Sequence, residues 1–132
     1  MTMKIEGIFK IKSWDEDIIA ELDQGGKLTR AHVTKSYTGG LQGEGVVEYL
    51  MAYNSDGSAH FVGYETVSGK LSEKSGSFVF EHRGTFKKGT VDSTWSVLED
   101  SATGELVGLT GSVNFSAKHQ AEYPIALYYE FH

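Results

Sequence analysis

Residues 43–97 read GEGVVEYLMAYNSDGSAHFVGYETVSGKLSEKSGSFVFEHRGTFKKGTVDSTWSV. Apolar and polar side chains alternate along most of this stretch. The alternation is broken at Asp56-Gly57, near Glu73-Lys74 and at Lys88-Gly89. A period of two between turn-forming pairs describes β-strands joined by hairpins. If each turn is a tight two-residue one, Ser55 pairs with Ser58, Ser72 with Ser75 and Lys87 with Thr90. Glu48 then opposes Glu65, Glu65 opposes His82, and His82 opposes Trp95. Opposed residues share a face of the sheet, so these four form one cross-strand row.

The same reading extends outward. Lys4 to Trp14 alternates as a half-buried strand, and further strands are expected at about 28–38, 44–54, 58–71, 75–87, 90–99, 111–117 and 120–131. Ser13 and Glu16 have capping-box spacing, so 13–22 is expected to form a short helical turn or an irregular crossover. Evenly spaced strands with short connections make an up-and-down meander. About eight of them can close into an all-β antiparallel barrel without exposed edges. The 132 residues form one such domain, 1–132, with 16 Gly, 1 Pro, 7 Tyr, 7 Phe and 2 Trp.

Composition excludes several functions. A formal charge of −6 does not suit a nucleic-acid groove, which needs clustered cations. Without cysteine there are no disulfides, thiol nucleophiles or thiolate-bound metals. The N-terminal residues lack an apolar leader core, and no apolar run approaches a helical membrane span, so a cytoplasmic protein with no membrane contact is expected. No cofactor is expected: Gly104, Gly108 and Gly111 lack dinucleotide-loop spacing and read as turn glycines.

Face counting points the row inward. The turn arithmetic places Val46, Leu50 and Ala52 with Glu48, Phe61 and Val67 with Glu65, and Phe78, Phe80 and Phe86 with His82. On β-residues further upstream, Ala31, Val33, Lys35 and Tyr37 share the inward face. Lys35 is the expected counter-charge for the carboxylates: a turn at Leu41-Gln42 sets it opposite Glu48, whereas a turn at Gly39-Gly40 sets Ala31 there. Two adjacent carboxylates away from water cannot both ionise easily, so one becomes a candidate acid and the other a base. His82 gains an orienting partner for proton shuttling. Trp95, Phe61, Phe80 and Lys35 are then the ligand-binding wall, and Glu48, Glu65 and His82 the candidate catalytic groups. Two other uses of the same residues stay open: a satisfied structural network, and a divalent metal held by Glu48, Glu65 and His82. Glu65→Gln is expected to disturb chemistry with a modest effect on folding. His32, His60, His119 and His132 read as solvated.

The complementary face of 44–54 and 58–71 carries Val47, Tyr49, Met51 and Tyr53 beside Val62 and Tyr64. An outward apolar-aromatic patch of this kind predicts a homo-oligomer, most simply a dimer through Tyr49, Met51, Tyr53 and Tyr64. The alternative is that 15–26 folds over it.

The segments KSWDE (12–16), GKLTRA (26–31), GEGVVEYLMAY (43–53), SGSFV (75–79), HRGTF (82–86), STWSV (93–97) and TGELVGLTG (103–111) resemble a bacterial domain-of-unknown-function family. The resemblance covers about residues 5–131 and implies an allene oxide cyclase-like β-barrel. It implies no reaction, and no cyclase motif can be placed on these residues. The expected function is therefore lipocalin-like binding of a small apolar molecule inside the barrel. A lyase- or isomerase-like proton transfer at the Glu/Glu/His site is the enzymatic alternative, and an interaction module working through the tyrosine surface is the other.

Overall fold

A computed structural model describes all residues, Met1–His132. Eight strands, β1 (Met3–Glu21), β2 (Lys27–Gly39), β3 (Leu41–Tyr53), β4 (Ala59–Leu71), β5 (Lys74–Lys87), β6 (Thr90–Val97), β7 (Leu109–Lys118) and β8 (Tyr123–Phe131), pair with their chain neighbours. β8 pairs back onto β1 and closes an antiparallel up-and-down barrel. The expected fold and all the strands after β1 are present. No helix is long and apolar enough to cross a membrane.

Residues 13–22 differ from expectation. They continue β1 to Glu21 instead of turning helical, with bulges between Ile11 and Ser13 and between Ile18 and Ala20. The bulge at Lys12 adds one residue against β2 and so switches the inward parity from odd to even. Phe9 lies opposite Tyr37, whereas Trp14 lies opposite Val33 and Glu16 opposite Ala31. Capping-box spacing was outcompeted by a full set of ladder partners on β2.

The two ends of the barrel are unlike. At the end holding the 98–108 connection, Leu41, Leu71, Phe78, Leu106, Leu109 and Leu127 pack into a solid apolar plug. The connection itself completes the wall where β6 stops short. Leu98 and Thr103 donate their backbone N–H to Val79 and Ser77 carbonyls at 2.8 Å, and Ser101 Oγ accepts from the Val79 N–H at 3.0 Å. The opposite end carries the loops 22–26, 54–58, 88–89 and 119–122, and there the interior is hollow.

Register decides what faces that hollow. The β3–β4 connection is a three-residue loop, Ser55-Asp56-Gly57, between Asn54 and Ser58. Asn54 donates its N–H to the Ser58 carbonyl at 2.8 Å, while the Asp56 carboxylate accepts from the Ser58 N–H at 2.9 Å and hydroxyl at 2.6 Å. Gly57 takes the left-handed φ of 88° that closes such a loop. One residue more than a tight turn slips the pairing by one and flips β3. Val47, not Glu48, opposes Glu65. The β4–β5 turn sits at Ser72-Glu73, so Leu71 pairs with Lys74. That is a shift of two in the pairing and leaves the inward face of β5 unchanged. The Lys88-Gly89 turn is as expected, and His82 opposes Trp95.

Candidate functional site

Glu65 is the centre of the interior polar group. It projects from β4 with its carboxylate fully buried, held by three neighbours on two other strands, β2 and β5. Its Oε1 accepts from Lys35 Nζ at 3.1 Å and from His82 Nε2 at 2.7 Å; its Oε2 accepts from the Tyr37 hydroxyl at 2.5 Å. Room for that carboxylate comes from Gly45, directly opposite Lys35, where any Cβ would fall 2.2 Å from Glu65 Oε2 and 2.9 Å from the Tyr37 ring. Gly63, opposite His82, likewise has its Cβ position filled, by the Tyr49 ring at 2.8 Å. A pleated wall with full side chains at 45 and 63 could not hold the network.

The electrostatics follow from geometry. Burial on its own would push the Glu65 carboxyl upward, but the Lys35 charge and the His82 and Tyr37 hydrogen bonds overcome it and hold the pKa at about 2. Burial lowers the pKa of Lys35, with Glu65 opposing. Burial also lowers the pKa of His82, against the Glu65 hydrogen bond and with the Lys35 charge adding to the lowering. Tyr37 is raised by burial and by Glu65. At neutral pH Glu65 is thus a carboxylate, His82 a neutral imidazole and Tyr37 a phenol, and the Glu65 carboxylate at 3.1 Å favours the charged form of Lys35. The carboxylate fixes the imidazole proton on Nε2, which leaves buried Nδ1 as a free acceptor with no protein partner.

Lys35 Nζ also lies 4.5 Å from the Phe9 ring centre and 4.4 Å from that of Trp95. These rings give the ammonium a second source of stabilisation. Beyond them opens a cavity of about 690 Å³, in the range of small-molecule sites. Of its 21 lining residues 15 are hydrophobic, so its wall can desolvate an apolar ligand. Lys35, Tyr49 and Trp95 lie at its inner part, and Lys118, His119 and Gln120 at its mouth. A shallower polar depression on the outer wall of β5–β7, lined by Arg83, Asp92 and Asn114 among others, offers little apolar surface.

The mouth has its own fixture. Glu16, aimed inward by the Lys12 bulge, accepts from the Trp14 indole at 2.9 Å, the Thr29 hydroxyl at 2.6 Å and the Tyr53 hydroxyl at 2.7 Å. Burial opposes its ionisation, and these three donors lower its pKa nevertheless. Trp14 stacks on Tyr49 with ring centres 6.0 Å apart. The carboxylate thereby orients two aromatic rings at the cavity rim.

The expected residues divide sharply. Lys35, Glu65, His82 and Trp95 come together, with His82 and Trp95 ring centres 4.6 Å apart. Phe61 lines the cavity, whereas Phe80 sits behind it against Phe78, His82 and Trp95. Glu48 does not belong. It is on the outer face of β3, half-exposed, opposite Tyr64, and it accepts from His32 Nδ1 at 2.8 Å. The candidate metal set of Glu48, Glu65 and His82 is therefore split across the barrel wall. No group of three His, Asp or Glu is placed to hold an ion. The same flip dismantles the tyrosine surface: Tyr49 and Met51 are buried, Tyr53 lines the cavity, and of the four only Tyr64 points outward, 55 % exposed. Phe9, Trp14, Glu16, Tyr37, Tyr49, Met51 and Tyr53 are site residues that the row missed. Tyr37 was within reach, because it shares the inward parity of Lys35.

Residues 5–129 match the model of a protein family of unknown function, DUF3224. The chain belongs to this family. A crystal structure of a DUF3224 protein of unknown function from Shewanella oneidensis MR-1 superposes with a TM-score of 0.83 at 27% sequence identity, covering 100% of this chain and 99% of that one. A search of curated proteins gave no match. DUF3224 membership agrees with the resemblance in the sequence and with the closed eight-stranded barrel.

Proposed function

We propose that this DUF3224 protein binds one small, largely apolar molecule in the open half of its barrel, in the manner of a carrier or sensor. The cavity supports this reading most directly: about 690 Å³, mainly apolar, open at one end and sealed at the other by the leucine-rich plug. Trp14, Tyr49, Phe61 and Trp95 offer flat faces for a ring or chain. The Lys35–Glu65–His82–Tyr37 group is internally paired, and Lys35 is its one member that lines the cavity. The test is a fluorescence titration with phenylnaphthylamine, a neutral dye that brightens in apolar sites. Saturable one-to-one binding is expected in the native protein. Ala117→Phe, which fills the cavity from β7, is expected to abolish binding with the urea midpoint unchanged. Binding that survives this substitution would place the dye elsewhere and defeat the reading.

A second reading has one specific observation behind it. His82 Nδ1 is a basic nitrogen with no protein partner, in a ring whose tautomer Glu65 fixes. His82 is fully buried against Tyr49 and Trp95 and does not itself line the cavity, so the isomerase- or lyase-like alternative needs a bound molecule that displaces one of these rings to deliver its proton to Nδ1. A ligand that donates to Nδ1 is expected to shift its ¹⁵N resonance, and a resonance unmoved by every bound ligand would leave His82 a structural residue.

A further inference from the structure

The charge around the cavity is lopsided. Its 21 lining residues include Lys35, Lys118 and His119 but no Asp or Glu. The whole chain shows the opposite balance, with 18 Asp and Glu against 12 Lys and Arg. The two cations differ in availability. Lys35 is committed to Glu65 at 3.1 Å and lies against two rings. Lys118, at the end of β7, is exposed and forms an ion pair with no carboxylate.

Of the carboxylates at this end, Glu122, Glu16 and Asp56 are occupied, the last by Ser58, while Glu21 and Asp23 are exposed and do not line the cavity. Glu122, in the loop after β7, pairs with Lys10 at 3.3 Å. Glu16 receives three hydrogen bonds from Trp14, Thr29 and Tyr53. Among the residues that line the cavity, the uncommitted charge is therefore positive and lies at the mouth, while Lys35 at the inner boundary is paired with Glu65. An apolar molecule with an anionic end would find hydrocarbon and aromatic surface inside and a free cation where its charge still touches water. The reverse orientation would strip water from the anion and offer it only a cation that Glu65 already neutralises.

We infer that the cavity takes an apolar molecule bearing a single acidic group, a carboxylate or sulfonate, with the apolar body inward and the anion at Lys118 and His119. This inference rests on the binding reading above and adds the ligand's charge and direction.

The test compares two dyes with one ring skeleton, anilinonaphthalene sulfonate and neutral phenylnaphthylamine, on the native protein and on Lys118→Glu. Lys118 is exposed, so the substitution leaves the fold intact. Sulfonate binding is expected to weaken roughly five- to tenfold in Lys118→Glu, the scale of reversing one exposed charge. It is also expected to weaken with added salt in the native protein. Neutral dye binding is expected to stay within about twofold in both cases, since it carries no charge to screen. Equal effects on the two dyes, or no effect on the sulfonate, would overturn the anionic-ligand inference and leave the cavity reading standing. Failure of both dyes to bind the native protein would remove the two together.

Discussion

Glu65→Gln is the substitution whose consequence is best determined by the structure. The amide keeps the shape of the carboxylate and can still accept from Tyr37 or His82, but it removes the negative charge beside Lys35. Lys35 Nζ is buried, and Glu65 is its one carboxylate, at 3.1 Å. Breaking a buried pair by deleting one partner costs about 3–5 kcal/mol, because the remaining charge stays out of water. The Phe9 and Trp95 rings remain at 4.5 and 4.4 Å and keep the stranded ammonium in a cation–π environment, which favours the lower end of that range. A net loss of about 3 kcal/mol is expected, a large share of the 5–15 kcal/mol by which such domains are typically stable. The modest folding effect expected from sequence is thus revised upward, since Glu65 turned out to be fully enclosed. Urea unfolding at pH 7, followed by Trp fluorescence and circular dichroism, measures it. Lys35→Met/Glu65→Gln removes both charges and is expected to be at least about 1.5 kcal/mol more stable than Glu65→Gln alone. A single variant within about 0.5 kcal/mol of native, or a double variant that merely adds the two losses, would refute the buried-pair account.

Three further outcomes follow from the same geometry. Stability should fall as pH drops below the ordinary histidine value of 6.5, because the unfolded chain protonates His82 while the folded one keeps it neutral. A second decline should set in below 4.5 and run toward 2 as the unfolded chain protonates Glu65 first, amounting to about 3 kcal/mol at 1.36 kcal/mol per unit; thermal melts across pH 2–8 read both, and a flat profile would contradict them. Lys35→Met should raise the His82 pKa, since it deletes the repelling charge while Glu65 remains, and imidazole NMR titration shows whether it moves. Gly45→Ala should cost about 1–3 kcal/mol through the collision with Glu65 and Tyr37, measured as a lower melting temperature, whereas an unchanged melt would mean that the carboxylate is not where the network puts it.

The fold was legible because its decisive signals are local. Alternation in β5 is one-sided: Phe78, Phe80 and His82 face in while Glu81 and Arg83 face out, so a shift of two is tolerated but a shift of one is not. β3 is different. Both of its faces are apolar, Val46, Leu50 and Ala52 on one and Val47, Tyr49 and Met51 on the other, so patterning could not choose between them. The choice fell to the Asp56-Gly57 loop, and one residue of loop length separated Glu48 inside from Glu48 outside. The rim was hidden for a similar reason. A bulge at Lys12 reverses the parity of β1, and nothing in the SWDE segment distinguishes that bulge from the start of a helix. Lys35, Glu65, His82 and Trp95 survived because each sits on a strand whose parity its neighbours fix.

Methionine gives the most direct test of a ligand-binding cavity. The chain has 3 methionines: Met51 lies in the cavity wall, while Met1 and Met3 are exposed at the plugged end of the barrel. In protein labelled with ¹³C at the methionine methyl groups, titration with phenylnaphthylamine should shift the Met51 resonance to saturation and leave Met1 and Met3 in place. A saturating titration that leaves Met51 unmoved, or that shifts Met3 as much, would contradict binding inside the barrel.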